Sequence, residues 1–219
     1  FLAVFCGFLA EYQLEHTIEN AREKQYMKLM IADLKADTAE MNNVLNVLEV
    51  RSANVDSMLL LLTANPNGEA VIRSFQFTYP ALNNITFSFN DRTITQLKNS
   101  GNMRIIRNQK VNDGIINYWN RIDNVTQALN RHMFYRTAGR ELETKVYNVA
   151  ELYSKNSRRI DAASGEITLI PHVPGLVKEY ANIVAYSGVM LGALKLHITN
   201  QNKLAIELIE LINREYYLK

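Results

Sequence analysis

The side chains that could carry chemistry are few, and their spacing excludes most of what they could do. The histidines are His16, His132, His172 and His197. None has a glutamate three residues before it, so the Glu-x-x-His pair of a di-iron helical site is missing. No histidine follows another within five residues, and H-E-x-x-H does not occur. His132 and His197 fall on apolar helical faces, where a hydrogen-bonded core histidine is the expected role, whereas His172 lies in a proline loop as a surface group. The single cysteine, Cys6, excludes an intrachain disulfide and a cysteine-based zinc site. Glycine-rich phosphate loops and the G-x-S-x-G elbow are also missing. The carboxylate pairs Glu141/Glu143 and Glu207/Glu210 sit among Arg and Lys and read as solvated, salt-bridging faces. The nearest approach to a ligand site is Arg104, Arg107 and Lys110, just after Gly101 at a helix start, where free backbone N–H groups and cations could contact an anion or a partner. The expectation is no catalytic residue, no metal ligand and no cofactor.

The elements that must position these residues are helical. Four prolines and nine glycines in 219 residues, with long stretches free of both, favour helices over strands and turns. An apolar content of 47% suffices for a packed core. The net charge of +2 is too balanced for a dedicated nucleic-acid binder. Every seventh residue from Met27 is apolar, through Leu34, Met41, Leu48, Val55 and Leu62, and predicts a packing stripe along a helix. Ile31, Leu45 and Leu59 are expected to flank it. Glu23, Asp33, Asp37 and the neighbouring lysines are expected on the solvated face. Residues 65–68, Asn-Pro-Asn-Gly, end the helix. A helix over 11–64 would be about 80 Å long, a stalk-like dimension.

Downstream, the spacing predicts a short helix over 69–76 and then an aromatic loop to residue 90, whose Phe and Tyr side chains plug one end of a bundle. A second short helix is expected to finish at a left-handed Gly101. A long tract from about Arg104 to Ser157 follows, with Gly114 and Gly139 as points of bending. Residues 158–175 read as a loop with an extended piece at 167–170. A final pair, 175–198 and 200–217, is expected as two helices or one helix bent near Asn200, the first a buried core helix rather than a second span. The fold class is all-α, an elongated antiparallel helical bundle.

The first ten residues, FLAVFCGFLA, carry no charge, and a bilayer span needs roughly 20 such residues. The run can be the C-terminal half of a transmembrane helix, the remnant of a signal-peptide apolar region, or a core-packing end. The first reading is preferred because Tyr12 stands where an interfacial aromatic anchors a span and no Lys or Arg appears until Arg22. Residues 1–10 are then an anchor, with Phe1, Leu2, Val4, Phe5, Phe8, Leu9 and Tyr12 in contact with lipid. The shortage of positive charge after it puts residues 11–219 on the outer side of a bacterial inner membrane, in the periplasm.

Two blocks, REKQYMKLMIADLKADT at 22–38 and TQLKNSGNMRIIRNQKVNDGIINYWNRI at 95–122, resemble a family of single-span envelope proteins of Bacteroidota whose function is uncharacterised. The pattern is carried by Leu97, Lys98, Ser100, Gly101, Met103, Arg104, Ile106, Arg107 and Asn108, followed by Tyr118 and Trp119. The resemblance implies an N-terminal span running into a long helix, an envelope location and a helical fold, with no activity attached. The expected function is a non-enzymatic, membrane-anchored accessory or scaffold subunit that forms a homo-oligomer or joins a larger envelope complex. The alternative is an extracytoplasmic sensor domain that binds a small ligand between helices.

Overall fold

The computed structural model describes residues 2–64, 68–154, 159–160, 167–171 and 174–218. Phe1, the helix-breaking residues 65–67, Ser157, Gly165 and His172 lie outside the described residues, as does the side chain of Leu2. The fold is all-α. Its helices are α1 (Leu2–Ala64), α2 (Gly68–Leu82), α3 (Arg92–Asn99), α4 (Gln109–Val146) and α5 (Pro174–Tyr216), with short 3-10 helices at Asn102–Ile105 and Val149–Leu152. Two two-residue strands, β1 (Tyr153–Ser154) and β2 (Arg159–Ile160), pair antiparallel. The extended piece expected at 167–170 lies along the end of α4, where Leu169 pairs with Tyr147 and the Ile170 amide donates to the Val146 carbonyl at 3.0 Å.

The chain forms two compact units. Unit 1 comprises residues 1–42, 87–123 and 200–219, and unit 2 comprises residues 43–86 and 124–199. The stripe Met27, Leu34, Met41, Leu48, Val55 and Leu62 is buried throughout, none of the six more than 3% exposed. Of the expected companion row only Ile31 is buried, at 8% exposure. Leu45 and Leu59 are only half-buried, while Met30, Asp37, Val44, Arg51 and Met58 are all buried. These residues stand three after each stripe position, which is the second seam row of a heptad. Two ionisable residues therefore occupy seam positions, Asp37 in unit 1 and Arg51 in unit 2. Glu23 and Asp33, expected in solvent, are each 6% exposed.

Several boundaries moved for identifiable reasons. The second helix runs on through Pro80 to Leu82, beyond the expected end at 76, because Val71, Ser74, Thr78 and Ala81 form one buried row at helical spacing and tertiary burial outweighs the proline. The fourth helix starts at Gln109, where the Asn108 side-chain oxygen accepts the Val111 amide at 3.2 Å as an N-cap. Gly114 and Gly139 do not break it. A Cβ at Gly114 would lie 2.9 Å from the Leu208 Cδ1, and one at Gly139 would lie 3.0 Å from the Leu82 Cδ1, so these glycines permit close helix approach. The last helix is continuous through Asn200 and ends with Tyr217 at φ 51° and a Leu218 N–H to Asn213 carbonyl bond of 3.1 Å. That is a Schellman termination with tyrosine in the left-handed position usually held by glycine. Gly101, at φ 67°, follows α3 as the spacing predicts.

Among the described residues one helix, α5, is long and apolar enough to cross a membrane by length and composition, and a third of its most apolar window (33%) is buried. Its buried residues Val177, Tyr180, Val184, Ser187, Leu191, Leu194 and Ile198 recur at the three-to-four spacing of a core face.

Candidate functional site

Buried carboxylates of α1 organise unit 1. Asp33 accepts the Thr93 amide at 3.0 Å and the Thr93 hydroxyl, and pairs with Arg92 at 2.7 Å. A carboxylate from another helix thus satisfies one free N–H at the start of α3 and complements the positive end of its dipole. Asp37, one turn further on, accepts the Asn90 amide at 2.8 Å, the Asn90 side chain at 2.9 Å and the Tyr118 hydroxyl at 2.7 Å. Burial pushes its pKa above the usual carboxylate range, and the hydrogen bonds from Asn90 and Tyr118 pull against that rise. Glu23 receives the Arg107 amide at 2.8 Å and the Tyr216 hydroxyl. With their partners in place, these acids act as fasteners for the segment 90–107.

The basic group at 104–110 does not converge on one point. Arg107 donates to Glu19 at 2.9 Å and Asn20 at 2.6 Å, and its guanidinium lies 3.0 Å from the His16 Nδ1. The cation is therefore already matched by a carboxylate. Lys110 stands in the field of Glu215, whose pKa is lowered first by its hydrogen bond from Asn108. Arg104 is exposed. A separate open groove of about 750 Å³ in unit 1 is lined by Lys24, Lys28, Lys35 and the C-terminal end of α5.

The N-terminal apolar residues present a different surface. Every described side chain from Val4 to Glu15 is exposed, including Val4 at 78%, Phe5 at 56%, Phe8 at 66%, Leu9 at 48% and Tyr12 at 53%. No protein core receives them.

Unit 2 contains a cavity of about 150 Å³ lined by Phe75, Gln76, Tyr79, Arg140, Glu143 and Ile160. Glu143 is buried, and its pKa is raised by that burial although Arg140 binds it at 2.8 Å. The Arg140 guanidinium lies 5.7 Å from the Tyr79 ring centre. Below the cavity the Tyr147 and Ser74 hydroxyls are bonded at 2.6 Å. This pairing of a buried acid with aromatic walls was invisible in the sequence, where Glu141 and Glu143 look equivalent. The signal was position: Leu142, Glu143 and Val146 share a buried face with Gly139, while Glu141 faces outward.

Elsewhere in unit 2, Arg51 donates to the carbonyls of Asn83 and of Asn84, the latter at 2.6 Å, just past the end of α2. A cation there complements the carbonyl end of the helix. His132 is 1% exposed, and its pKa falls to about 4, through burial first and then the charges of Arg51 and Arg136. The Ser187 backbone favours the charged form slightly, yet no hydrogen bond of normal geometry reaches either ring nitrogen. Among the described residues no group of three or more His, Cys, Asp or Glu side chains could hold a metal ion. No family model, curated protein or solved structure matches the chain.

Proposed function

We propose that the chain is a membrane-anchored helical protein of the bacterial envelope, non-enzymatic, whose bulk faces the periplasm and acts as an accessory or scaffold subunit through protein contacts. The observation that carries this reading is the run Val4–Tyr12. Its large apolar side chains are exposed along one broad face of the helix, and the remaining positions before Glu11, Cys6, Gly7 and Ala10, offer no charge on the opposite face, a composition suited to lipid. The resemblance to single-span envelope proteins of Bacteroidota supports the same location. In this reading α5 is a core helix packed antiparallel to α1, with Lys195 on Glu49 and Gly188 against Val55 in unit 2. The successive pairs Glu23–Arg107 and Asp37–Tyr118 in unit 1 support α1 and α4 running in the same direction, a departure from a simple up-and-down bundle. Gentle detergent extraction from native membranes, with identification of co-purifying proteins, tests the scaffold role. A monomer that brings nothing with it contradicts that role.

The cavity beside Glu143 favours a second reading, a sensor-type domain that takes a small ligand. A buried carboxyl, a guanidinium and two aromatic rings around about 150 Å³ form the kind of mostly apolar pocket with a few polar groups that small molecules occupy. A thermal-shift screen with small metabolites on wild type and Glu143→Gln separates the readings. A ligand-dependent rise in Tm that the variant loses supports the sensor.

A further inference from the structure

Four buried polar atoms on two helices of unit 2 have no hydrogen-bond partner of normal geometry among the described residues: Nδ1 and Nε2 of His132, Nε of Arg136 and Oγ of Ser187. His132 and Ser187 are 1% and 0% exposed, so bulk water does not satisfy them. An unpaired buried polar group costs about 1–3 kcal/mol, and such groups cluster where a bound water or ion belongs. His132 and Arg136 are one turn apart on α4 and share a face. The Tyr135 and Tyr186 rings stack with centroids 5.3 Å apart, which sets this turn of α4 beside Ser187 on α5, and the charges of Arg51 and Arg136 both act on the imidazole.

The chemistry of these groups is one-sided. An Arg Nε–H only donates, a serine hydroxyl turns to donate, and a neutral imidazole donates through one nitrogen. Three donors thus wait for one acceptor. The charge balance is equally one-sided. Burial and then the charge of Arg136 lower the proton affinity of Arg51, and no described carboxylate offsets the two cations at His132. Arg51 spends its terminal nitrogens on the Asn83 and Asn84 carbonyls, so it contributes field more than contact. Seam position 51 therefore carries a positive charge into the core with no acid against it, whereas its counterpart Asp37 in unit 1 is met by three donors.

We propose that unit 2 binds a small monatomic anion, of which chloride is the abundant example, held by the Arg136 Nε–H, the Ser187 hydroxyl and the His132 imidazole. A monatomic halide fits sealed surroundings because it sheds its hydration shell at lower cost than sulfate or phosphate. A negative charge also relieves the repulsion between the two guanidiniums, which a water molecule cannot do.

The test compares the Tm of the full chain in potassium chloride, potassium bromide and potassium gluconate at equal ionic strength, for wild type, Arg136→Met and Ser187→Ala. The expected result is a saturable rise in Tm with either halide over gluconate in wild type, weakened in Ser187→Ala and abolished in Arg136→Met. Ser187→Ala removes one hydroxyl and keeps the helix, so it reports even where Arg136→Met does not fold. Crystals grown in bromide should show an anomalous peak in contact with Arg136 Nε and Ser187 Oγ. A Tm indifferent to halide, a halide effect that survives in Ser187→Ala at full size, or only water at that position overturns the proposal.

Discussion

One helix, α1, holds two apolar surfaces with opposite fates. From Met27 to Leu62 the residues of the heptad stripe are all buried, whereas from Val4 to Leu14 the large apolar residues are all exposed. The residues on the other faces explain the difference. A seven-residue repeat aligns side chains on one face that a neighbouring helix can cover, while FCGFLA has no polar face to turn toward water. In the proposed reading the same residue types specify a protein interior in one stretch and a lipid contact in the other.

That contrast makes its strongest prediction for truncation of the two surfaces. Leu34→Ala or Leu48→Ala, at sites 1% and 0% exposed, should lower unfolding free energy by roughly 2–5 kcal/mol. Phe8→Ala should change it by less than about 0.5 kcal/mol. Urea titrations followed by circular dichroism give both values, and a large loss for Phe8→Ala breaks the distinction.

The polar seam residues extend the comparison. Asp37→Ala strands the buried Tyr118 hydroxyl and removes the acceptor of the Asn90 amide, and should cost about 3 kcal/mol in the same titrations. His132 sets a pH dependence of known sign. Its folded pKa of about 4 lies below the ordinary 6.5, so the unfolded chain binds a proton that the folded chain refuses. The stability it contributes is complete above pH 6.5 and is lost as pH falls toward 4, by at most about 3 kcal/mol in halide-free buffer. Asp37 and Glu143, whose pKa values are raised by burial, act in the opposite direction and favour the folded chain as they take up protons. The measurement is therefore the difference between wild type and His132→Phe, whose profile should lack the acid loss.

Glycines sharpen the picture on a smaller scale. Gly114→Ala drives a methyl toward Leu208 and should cost about 1–3 kcal/mol, whereas Gly192→Ala, with nothing within 4 Å of its Cβ, should gain up to about 1 kcal/mol from helix propensity. The smallest effect belongs to Arg107→Ala. Its pair with Glu19 is half in water, with side chains 42% and 37% exposed, and the loss should stay under about 1 kcal/mol.

The helical class, the stripe from Met27 to Leu62 and the turn at Gly101 were legible because each rests on local spacing or on a backbone conformation that glycine prefers. The second seam row was not. Asp37 and Arg51 interrupt its apolar pattern, and charged residues beside a stripe read as solvated until their partners, far away in sequence at Asn90, Tyr118 and Asn83, are known. The cavity at Glu143 and the orphan atoms of His132 and Ser187 were hidden for the same reason. They depend on which side of α4 and α5 is covered, and the sequence of one helix does not carry that information. Pro80 misled in the opposite sense, since burial of Ala81 and Leu82 carries α2 past a residue that usually ends a helix.

The anchoring claim is tested most directly by membrane partition of the chain. Wild-type protein and a Phe5→Glu/Phe8→Glu variant are compared for sedimentation with membranes after high-salt and alkaline carbonate washes. Wild type retained in the membrane pellet and a folded variant released to the supernatant is the predicted result. Wild type washed free, or a variant that stays bound, contradicts it.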